Sequence, residues 1–354
     1  MRVLYFGTYD RDYPRNAQVI SCLRRAGVKV TERHVGVWEG QRDSWRAGPA
    51  ALVRLAAAEL RLLRQPPGDF DVVVVGYPGH VDLAAARHAA GGRPVVFNPL
   101  VSLADTFVAD RRRFEPGSLP ARALETIDRK ALRAADIVVA DTQAHARHLA
   151  ALAGLPPERV EVCFVGAEER LFGPAWAPGD PFACLFVGKL IPLQGIETIL
   201  AAARVASDLP FRVVGSGQLE PLLRDRPANV EWIPWVEYDR LAKELHRTGC
   251  ALGIFGTTDK AQRVIPNKAF QALASGTPLV TSNTPAAREL LSNEDDALLV
   301  EPGDPAALAA AVQRLAGDAA LAARIAARGR ATYERRASET VLGARWRGII
   351  DRLT

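Results

Sequence analysis

Two lysines stand where a positive charge would meet a phosphate. The first lies in Phe186–Gly195, FVGKLIPLQG, which runs into the helical pattern IETILAAA. An apolar run ends at Val187, Gly188 turns the chain, Lys189 follows at a carboxyl strand end, and a helix begins near Gly195. A helix N-terminus presents unpaired N–H groups and a partial positive charge, so phosphate gathers there. Lys189 beside it would neutralise a leaving diphosphate; the same residues also fit a tight turn with a solvated lysine. The second lies in Arg263–Gly276, RVIPNKAFQALASG, followed by TPLVTSNTPAARELL. The Pro266–Asn267 step predicts a helix start, with Asn267 as N-cap and Lys268 in the first turn. A cation there opposes the helix dipole, at about a few tenths of a kcal/mol. An anionic ligand at that end gives the lysine a reason to be there.

Weaker signals surround these two. Gly215-Ser216-Gly217 follows the apolar run FRVV and would let backbone approach a nucleotide, although many such sequences are only loops. Trp235 and Val236 follow VEWI and would flank a base, or simply pack. Earlier in the chain, Gly7-Thr8-Tyr9, Tyr77-Pro78-Gly79-His80 and Asn98-Pro99 each end a strand-like run. His80 is a candidate sugar contact, with a structural histidine as the alternative. Asp105, in VSLADT, would touch an acceptor or cap a helix. The histidines do not cluster, so no metal site is expected. Glu294-Asp295-Asp296 reads as a solvated loop rather than a metal-binding acidic pair.

The elements that must position these residues alternate. Strand-like runs are expected at Val3–Phe6, Lys29–His34, Val72–Gly76, Pro94–Phe97, Ile137–Ala140 and Val160–Phe164. A second series follows at Phe182–Val187, Phe211–Val214, Val230–Ile233, Ala251–Ile254, Pro278–Thr281 and Ala297–Val300. Helical patterns separate most of them, as at Ala17–Ala26, Gly195–Ala206, Leu241–Thr248, Asn267–Ala274 and one long stretch, Pro305–Glu334. Such alternation implies βαβ units and parallel sheets, which bind ligands beyond the carboxyl ends of their strands. The series restarts near residue 180, after the Gly- and Pro-rich RLFGPAWAPGDPF, which reads as an interdomain linker. The fold class is α/β, with two doubly wound Rossmann-like domains facing each other across a cleft. The expected divisions are 1–175, a first Rossmann-like domain; 176–335, a second; and 336–354, a C-terminal helix packing back on the first domain.

Composition narrows the class. The 354 residues carry 45 basic and 40 acidic side chains, a net charge of +5. Residues 1–175 hold 24 basic against 20 acidic of these, a bias that suits an acidic partner such as an anionic membrane surface. No basic run longer than Arg111-Arg112-Arg113 appears, which argues against a nucleic-acid partner. Cys22, Cys163, Cys184 and Cys250 lack CxxC spacing and read as reduced, packed thiols of a cytoplasmic protein. The opening MRVLYFGTYD reads as a strand entering a loop rather than a signal peptide, and no apolar run approaches the ~18–20 residues of a membrane span.

Taken together, FVGKLIPLQGIETIL, VVGSGQ, IPNKAFQALASGTPLVTS, RELL and ALLVEPGDPAALAAAVQRL resemble the donor-binding half of family 4 glycosyltransferases of the GT-B fold, through about residues 183–335. The first half resembles the family more loosely, through VVVVGYPGH and VVADTQAHARHLA before GLPPERVEVCFVGAEERLF. The resemblance implies transfer of a sugar from a nucleotide-diphosphate donor to an acceptor hydroxyl, with retention at the anomeric carbon and without metal or cofactor. The family commonly holds the diphosphate with a basic pair. Lys189 matches its first member, while Gln194 stands where a lysine is usual. The family's two glutamates correspond to Arg263 and Gln271, and a histidine of its first domain to Asn98. The chain resembles a divergent branch with an IPNK motif. In it Lys268 supplies the missing cation and Arg263 adds charge. The catalytic set implied is Lys189, Lys268, Arg263 and Asn98. Donor contacts come from Gly188, Gln194, Gly215, Gly217, Trp235, Val236, Pro266, Asn267 and Gln271, and acceptor-side contacts from Gly7, Thr8, His80 and Asp105. A nucleotide-sugar epimerase of the same fold, or a catalytically degenerate nucleotide-binding subunit, are the rival readings.

The acceptor, whether saccharide, lipid-linked saccharide or small molecule, is not named by these motifs. Trp45–Arg64, WRAGPAALVRLAAAELRLLR, is a basic amphipathic pattern. Such a helix can lie on a membrane and bring a lipid-linked acceptor within reach, giving peripheral contact with the inner face. The favoured reading is an ordinary surface helix whose leucines pack on the sheet.

Overall fold

A computed structural model describes residues 1–11, 13–37, 49–64 and 68–354. The chain divides into two units. One comprises residues 1–108, 112–165 and 339–354, the other residues 109–111 and 166–338.

The first unit carries a six-stranded parallel sheet of β1 (Arg2–Gly7), β2 (Lys29–His34), β3 (Val72–Val75), β4 (Val95–Phe97), β5 (Ile137–Ala140) and β6 (Val160–Val162). Its strand order is β2-β1-β3-β4-β5-β6. The four valines of β3 are fully buried, as a central parallel strand covered on both faces requires. The described helices of this unit are α1 (Pro14–Arg25), α2 (Pro49–Leu63), α3 (Leu83–Ala90), α4 (Leu119–Ala134) and α5 (Gln143–Ala153), joined by the C-terminal α11 (Glu339–Asp351). α11 packs on α1, burying Trp346, and the Ser21 hydroxyl donates to Glu339 Oε2 at 3.0 Å.

The second unit repeats the plan with β7 (Cys184–Val187), β8 (Phe211–Val214), β9 (Val230–Ile233), β10 (Cys250–Leu252), β11 (Leu279–Ser282) and β12 (Leu298–Val300). The order is β12-β11-β10-β7-β8-β9, all parallel. Its helices are α6 (Ile196–Val205), α7 (Leu241–Arg247), α8 (Asn267–Ser275), α9 (Pro305–Gly317) and α10 (Ala319–Arg336). All twelve expected strands are present, with ends moved by a residue or two.

Four expectations need correction. The stretch Pro305–Glu334 is two helices, because Asp318 ends α9 and caps α10, accepting the Leu321 N–H at 2.9 Å. The presumed linker is bound to the second unit: Trp176 Nε1 donates to the Thr248 carbonyl, and the Ala177 and Gly179 amides donate to the His246 and Arg247 carbonyls, each at 2.8 Å. The division between units therefore falls at residue 165 rather than 175. Asp296 is not solvated: it is buried and accepts from the Ser292 amide and the Thr332 hydroxyl, while Glu294 forms a two-bond pair with Arg314. The leucines of α2 do not all pack on the sheet: Leu62 is buried, whereas Leu52, Leu60 and Leu63 are exposed. Residues 45–48 of the basic amphipathic pattern lie outside the described residues.

Candidate functional site

In the second unit the strand order reverses between β7 and β10, the place where doubly wound sheets receive ligands. The loop leaving β7 continues the ladder with the loop leaving β8. The Gly188 amide donates to the Val214 carbonyl at 2.9 Å and the Leu190 amide to the Ser216 carbonyl at 3.0 Å. This approach uses both glycines of Gly215-Ser216-Gly217. A Cβ at Gly215 would lie 1.9 Å from the Gly188 carbonyl oxygen, and one at Gly217 would lie 2.7 Å from that of Leu190. Their φ values of 143° and 154° are also ones L side chains rarely adopt. The two glycines thus serve the seam between the loops. Trp232 secures it, its Nε1 donating to the Gly215 carbonyl at 2.9 Å.

Beneath Gly188 lies the ammonium of Lys268. A Cβ added at Gly188 would stand 2.7 Å from Lys268 Nζ, so the glycine makes room for it. Nζ sits 3.6 Å from the centroid of the Phe186 ring, donates to Gln194 Oε1, and forms no ion pair among the described residues. Burial holds the Lys268 pKa well below that of an ordinary lysine. Gln194, where the family resemblance implied a lysine, is thus the hydrogen-bond acceptor for this cation.

Lys268 belongs to the first turn of α8. Contrary to the expected cap, Pro266 occupies the N-cap position and Asn267 is the first helical residue. Proline has no side-chain acceptor, and no side chain caps this end. The N–H groups of Asn267 and Lys268 have no acceptor among the described residues. Gln271, one turn on, is buried and donates to the Tyr238 hydroxyl at 3.2 Å. Burial, reinforced by Glu168, keeps that phenol protonated far above its ordinary range.

The remaining candidates of this unit spread outward. Lys189 is exposed, Arg263 half-buried at the end of a short 3-10 turn, and Val236 half-buried. Trp235 is exposed, with its indole N–H on Glu237 at 3.1 Å.

In the first unit the order reverses between β1 and β3. Here the loop residues serve a carboxylate that the sequence reading missed. Asp82 Oδ2 accepts the Thr8 amide at 2.7 Å and Oδ1 accepts the Thr8 hydroxyl at 3.0 Å. Gly7, at φ 127°, is required by this contact, since a Cβ would lie 2.1 Å from Asp82 Oδ2. Glu59 on α2 comes against the same carboxylate. Burial first, then hydrogen bonding and repulsion from Asp82, push its pKa up to about 9.

Two further candidates for substrate contact lie in the interior of the first unit. Asn98 is fully buried, its Oδ1 taking both Nε and Nη2 of the buried Arg15 at 3.1 and 3.0 Å. It presents no surface to a sugar. His80 is also buried, with its ring nitrogens on the carbonyls of Pro78 and Val101 and Nε2 3.3 Å from Asp128 Oδ1. Burial lowers its pKa against the pull of Asp128. Asp128 also ties down the chain after β4, accepting from the Ser102 hydroxyl and the Leu103 and Ala104 amides. Asp105 is buried and its amide donates to Ser102 Oγ at 3.0 Å, at the start of a π-helical turn, Asp105–Asp110.

Comparison with known proteins places this geometry. Residues 181–318 match the family described as glycosyl transferases group 1, and residues 2–166 match the glycosyl transferase 4-like domain. Together these two matches span most of the chain, which is similar to glycosyltransferases of these two descriptions. It is 30% identical over 300 residues to a D-inositol 3-phosphate glycosyltransferase of Acidothermus cellulolyticus, covering 75% of this chain and 64% of that protein. It is 28% identical over 184 residues to the lipopolysaccharide core biosynthesis glycosyltransferase LpsD of Rhizobium meliloti, covering 49% and 51%. The chain thus spans roughly half to two-thirds of these relatives' length. Its fold is GT-B, shared with sucrose-phosphate synthase of Thermosynechococcus elongatus at a TM-score of 0.76 and 18% identity, covering 99% and 98% of the two chains. Anabaena HepE, solved in complex with UDP-glucose, gives 0.71 and 16%, covering 100% of each.

The residues that the sequence does not reveal have a common feature. Asp82 meets Thr8 across 74 positions and Lys268 meets Gln194 across 74, so neither contact leaves a local signature. Asp82 before LAAARHAA looks like a helix cap, yet its side chain makes no cap hydrogen bond and turns to Thr8 instead. Among the described residues no group of three or more His, Cys, Asp or Glu side chains is arranged to hold a metal ion, and all four cysteines are buried thiols outside any disulfide.

Proposed function

We propose that this chain transfers a sugar from a nucleoside-diphosphate donor to an acceptor hydroxyl, with the diphosphate held at the start of α8 by Lys268 and the Asn267 and Lys268 amides. The observation that carries the reading is the buried ammonium of Lys268, which has no carboxylate partner and lies at an uncapped helix N-terminus. A buried cation is costly unless paired, and a diphosphate is the partner this site lacks. The two family matches and the UDP-glucose complex of HepE support the same assignment.

In this reading the C–O bond to the leaving phosphate breaks while preorganised charge and N–H groups take up the negative charge developing on it. Lys189, exposed at the β7 end, and Arg263 add to that field. The acceptor hydroxyl attacks from the face the phosphate leaves, a phosphate oxygen takes its proton, and configuration is retained without a metal. Thermal-shift titration with UDP, GDP, ADP and dTDP and their sugars, in chelator, tests the donor site. At a hundredfold excess over Kd the bound form gains about 2.7 kcal/mol. A shift with one base and release of that diphosphate from its sugar support the reading. No shift and no release with any donor would sink it, and an inverted product would remove the same-face step alone.

A further inference from the structure

The outer face of α2 is apolar where a water-facing helix would be polar. Ala51, Ala58 and Leu62 point inward and are buried, so the opposite side faces away from the sheet. That side carries Leu52, Val53 and Leu60, which are 66%, 70% and 53% exposed, with Leu63 beside them. Leu52 and Leu60 stand eight apart, Val53 and Leu60 seven, and Leu60 and Leu63 three, so they form a ridge along the helix rather than scattered side chains. Arg54, Arg61 and Arg64 are exposed along one edge of the ridge, and none forms an ion pair among the described residues. The single acidic residue of the helix, Glu59, is half-buried and turns toward Asp82, where burial raises its pKa to about 9. The exposed charge of α2 is therefore all positive.

We propose that this face seats on an anionic lipid bilayer, the ridge entering the headgroup region and the three arginines meeting acidic headgroups. The unopposed positive edge chooses this occupant. An apolar ridge alone would also suit a second copy of the chain, but the same face of a second copy offers the exposed arginines no acidic partner. No single described helix is long and apolar enough to cross a membrane, so the contact is one of lying on the surface.

The test is co-sedimentation of the full chain with vesicles of phosphatidylcholine, alone or mixed with phosphatidylglycerol. Binding is expected only to the mixed vesicles, and it should weaken with salt. The triple variant Arg54→Gln, Arg61→Gln, Arg64→Gln should lose about fivefold per arginine, about a hundredfold together. The triple variant Leu52→Gln, Val53→Gln, Leu60→Gln should lose at least about tenfold. Both variants alter outward side chains, so circular dichroism and nucleotide-induced thermal shift should match the wild type, which separates this surface from the donor site. Absence of binding to mixed vesicles overturns the proposal, as does equal binding by both variants. A wild-type dimer that the apolar variant turns into a monomer would assign the ridge to a second copy instead.

Discussion

The Lys268 ammonium lies 3.6 Å from the centroid of the Phe186 ring, although 82 residues separate the two. Strand β7 delivers the ring and helix α8 delivers the cation, so the contact exists only because β7 and β10 are neighbours in the sheet. A cation over an aromatic face gains a few kcal/mol at most when desolvated. That does not replace a counter-ion, and Lys268→Met should cost no stability. Replacement of a buried charge by an apolar side chain of similar length is often neutral or stabilising. The expected result is a melting temperature equal to or above wild type, with nucleoside-diphosphate affinity reduced at least about tenfold, the equivalent of ~1.4 kcal/mol. A variant that melts higher and still binds diphosphate as tightly as wild type would falsify the phosphate role.

The depressed Lys268 pKa also gives the proposed donor site a proton signature. Between that lowered value and the ordinary lysine pKa of 10.5, the unfolded chain holds a proton on this side chain that the folded chain does not. Stability from this group accordingly rises with pH across the window and is lost as pH falls through it. A bound diphosphate favours the charged form, so binding within that window takes up a proton. Calorimetric titration at alkaline pH in two buffers of different ionisation enthalpy should give different apparent binding enthalpies. The difference should vanish in Lys268→Met, while a buffer-independent enthalpy in the wild type would place the uptake elsewhere.

Much of this was legible before any coordinates. Short apolar runs such as Val72–Val75 mark the inner strands, because buried parallel strands must be apolar on both faces, while the edge strand β2, KVTERH, is polar and partly exposed. Lys268 stood out because a cation in a first helical turn runs against the dipole. Three things were not legible. The cap assigned to Asn267 belongs to Pro266, since cap position depends on backbone angles that the IPNK string does not reveal. Asn98 sits at a strand end that should face ligand, yet it is consumed by Arg15 from 83 residues away. Gly215 and Gly217 look like nucleotide-approach residues, and the backbone they approach is Gly188–Leu190. In the last two cases a tertiary contact decided what a local pattern left open.

Gly215 should therefore be intolerant of even one methyl group. Gly215→Ala would place Cβ 1.9 Å from the Gly188 carbonyl oxygen at a φ of 143°. The strained backbone alone costs on the order of 1–3 kcal/mol, and the clash must push the Gly188 loop off its ladder. Urea unfolding should show a lower midpoint with unchanged slope. Because the displaced loop covers Lys268, diphosphate affinity should fall with it. A midpoint within error of wild type would show that the two loops can separate freely.

Glu59 and Asp82 predict a pH dependence of the opposite sign in the first unit. With Glu59 at about 9 in the folded chain and 4.5 as its ordinary value, the folded state binds the extra proton between these limits. Stability from this group is fully present below the ordinary value and falls as pH rises through the window, because the native chain must either keep the proton or place two carboxylates together. Glu59→Gln keeps the shape and a hydrogen-bond donor for Asp82 while removing the titration. Its melting temperature should match wild type near pH 4.5 and exceed it increasingly toward pH 8. Part of the side chain reaches solvent, so screening leaves the gap well short of what the full shift implies. Thermal melts of both proteins across pH 4.5–8 decide the matter: parallel curves would mean that Glu59 swings away from Asp82 and ionises in water, and a widening gap would mean that the pair shares one proton.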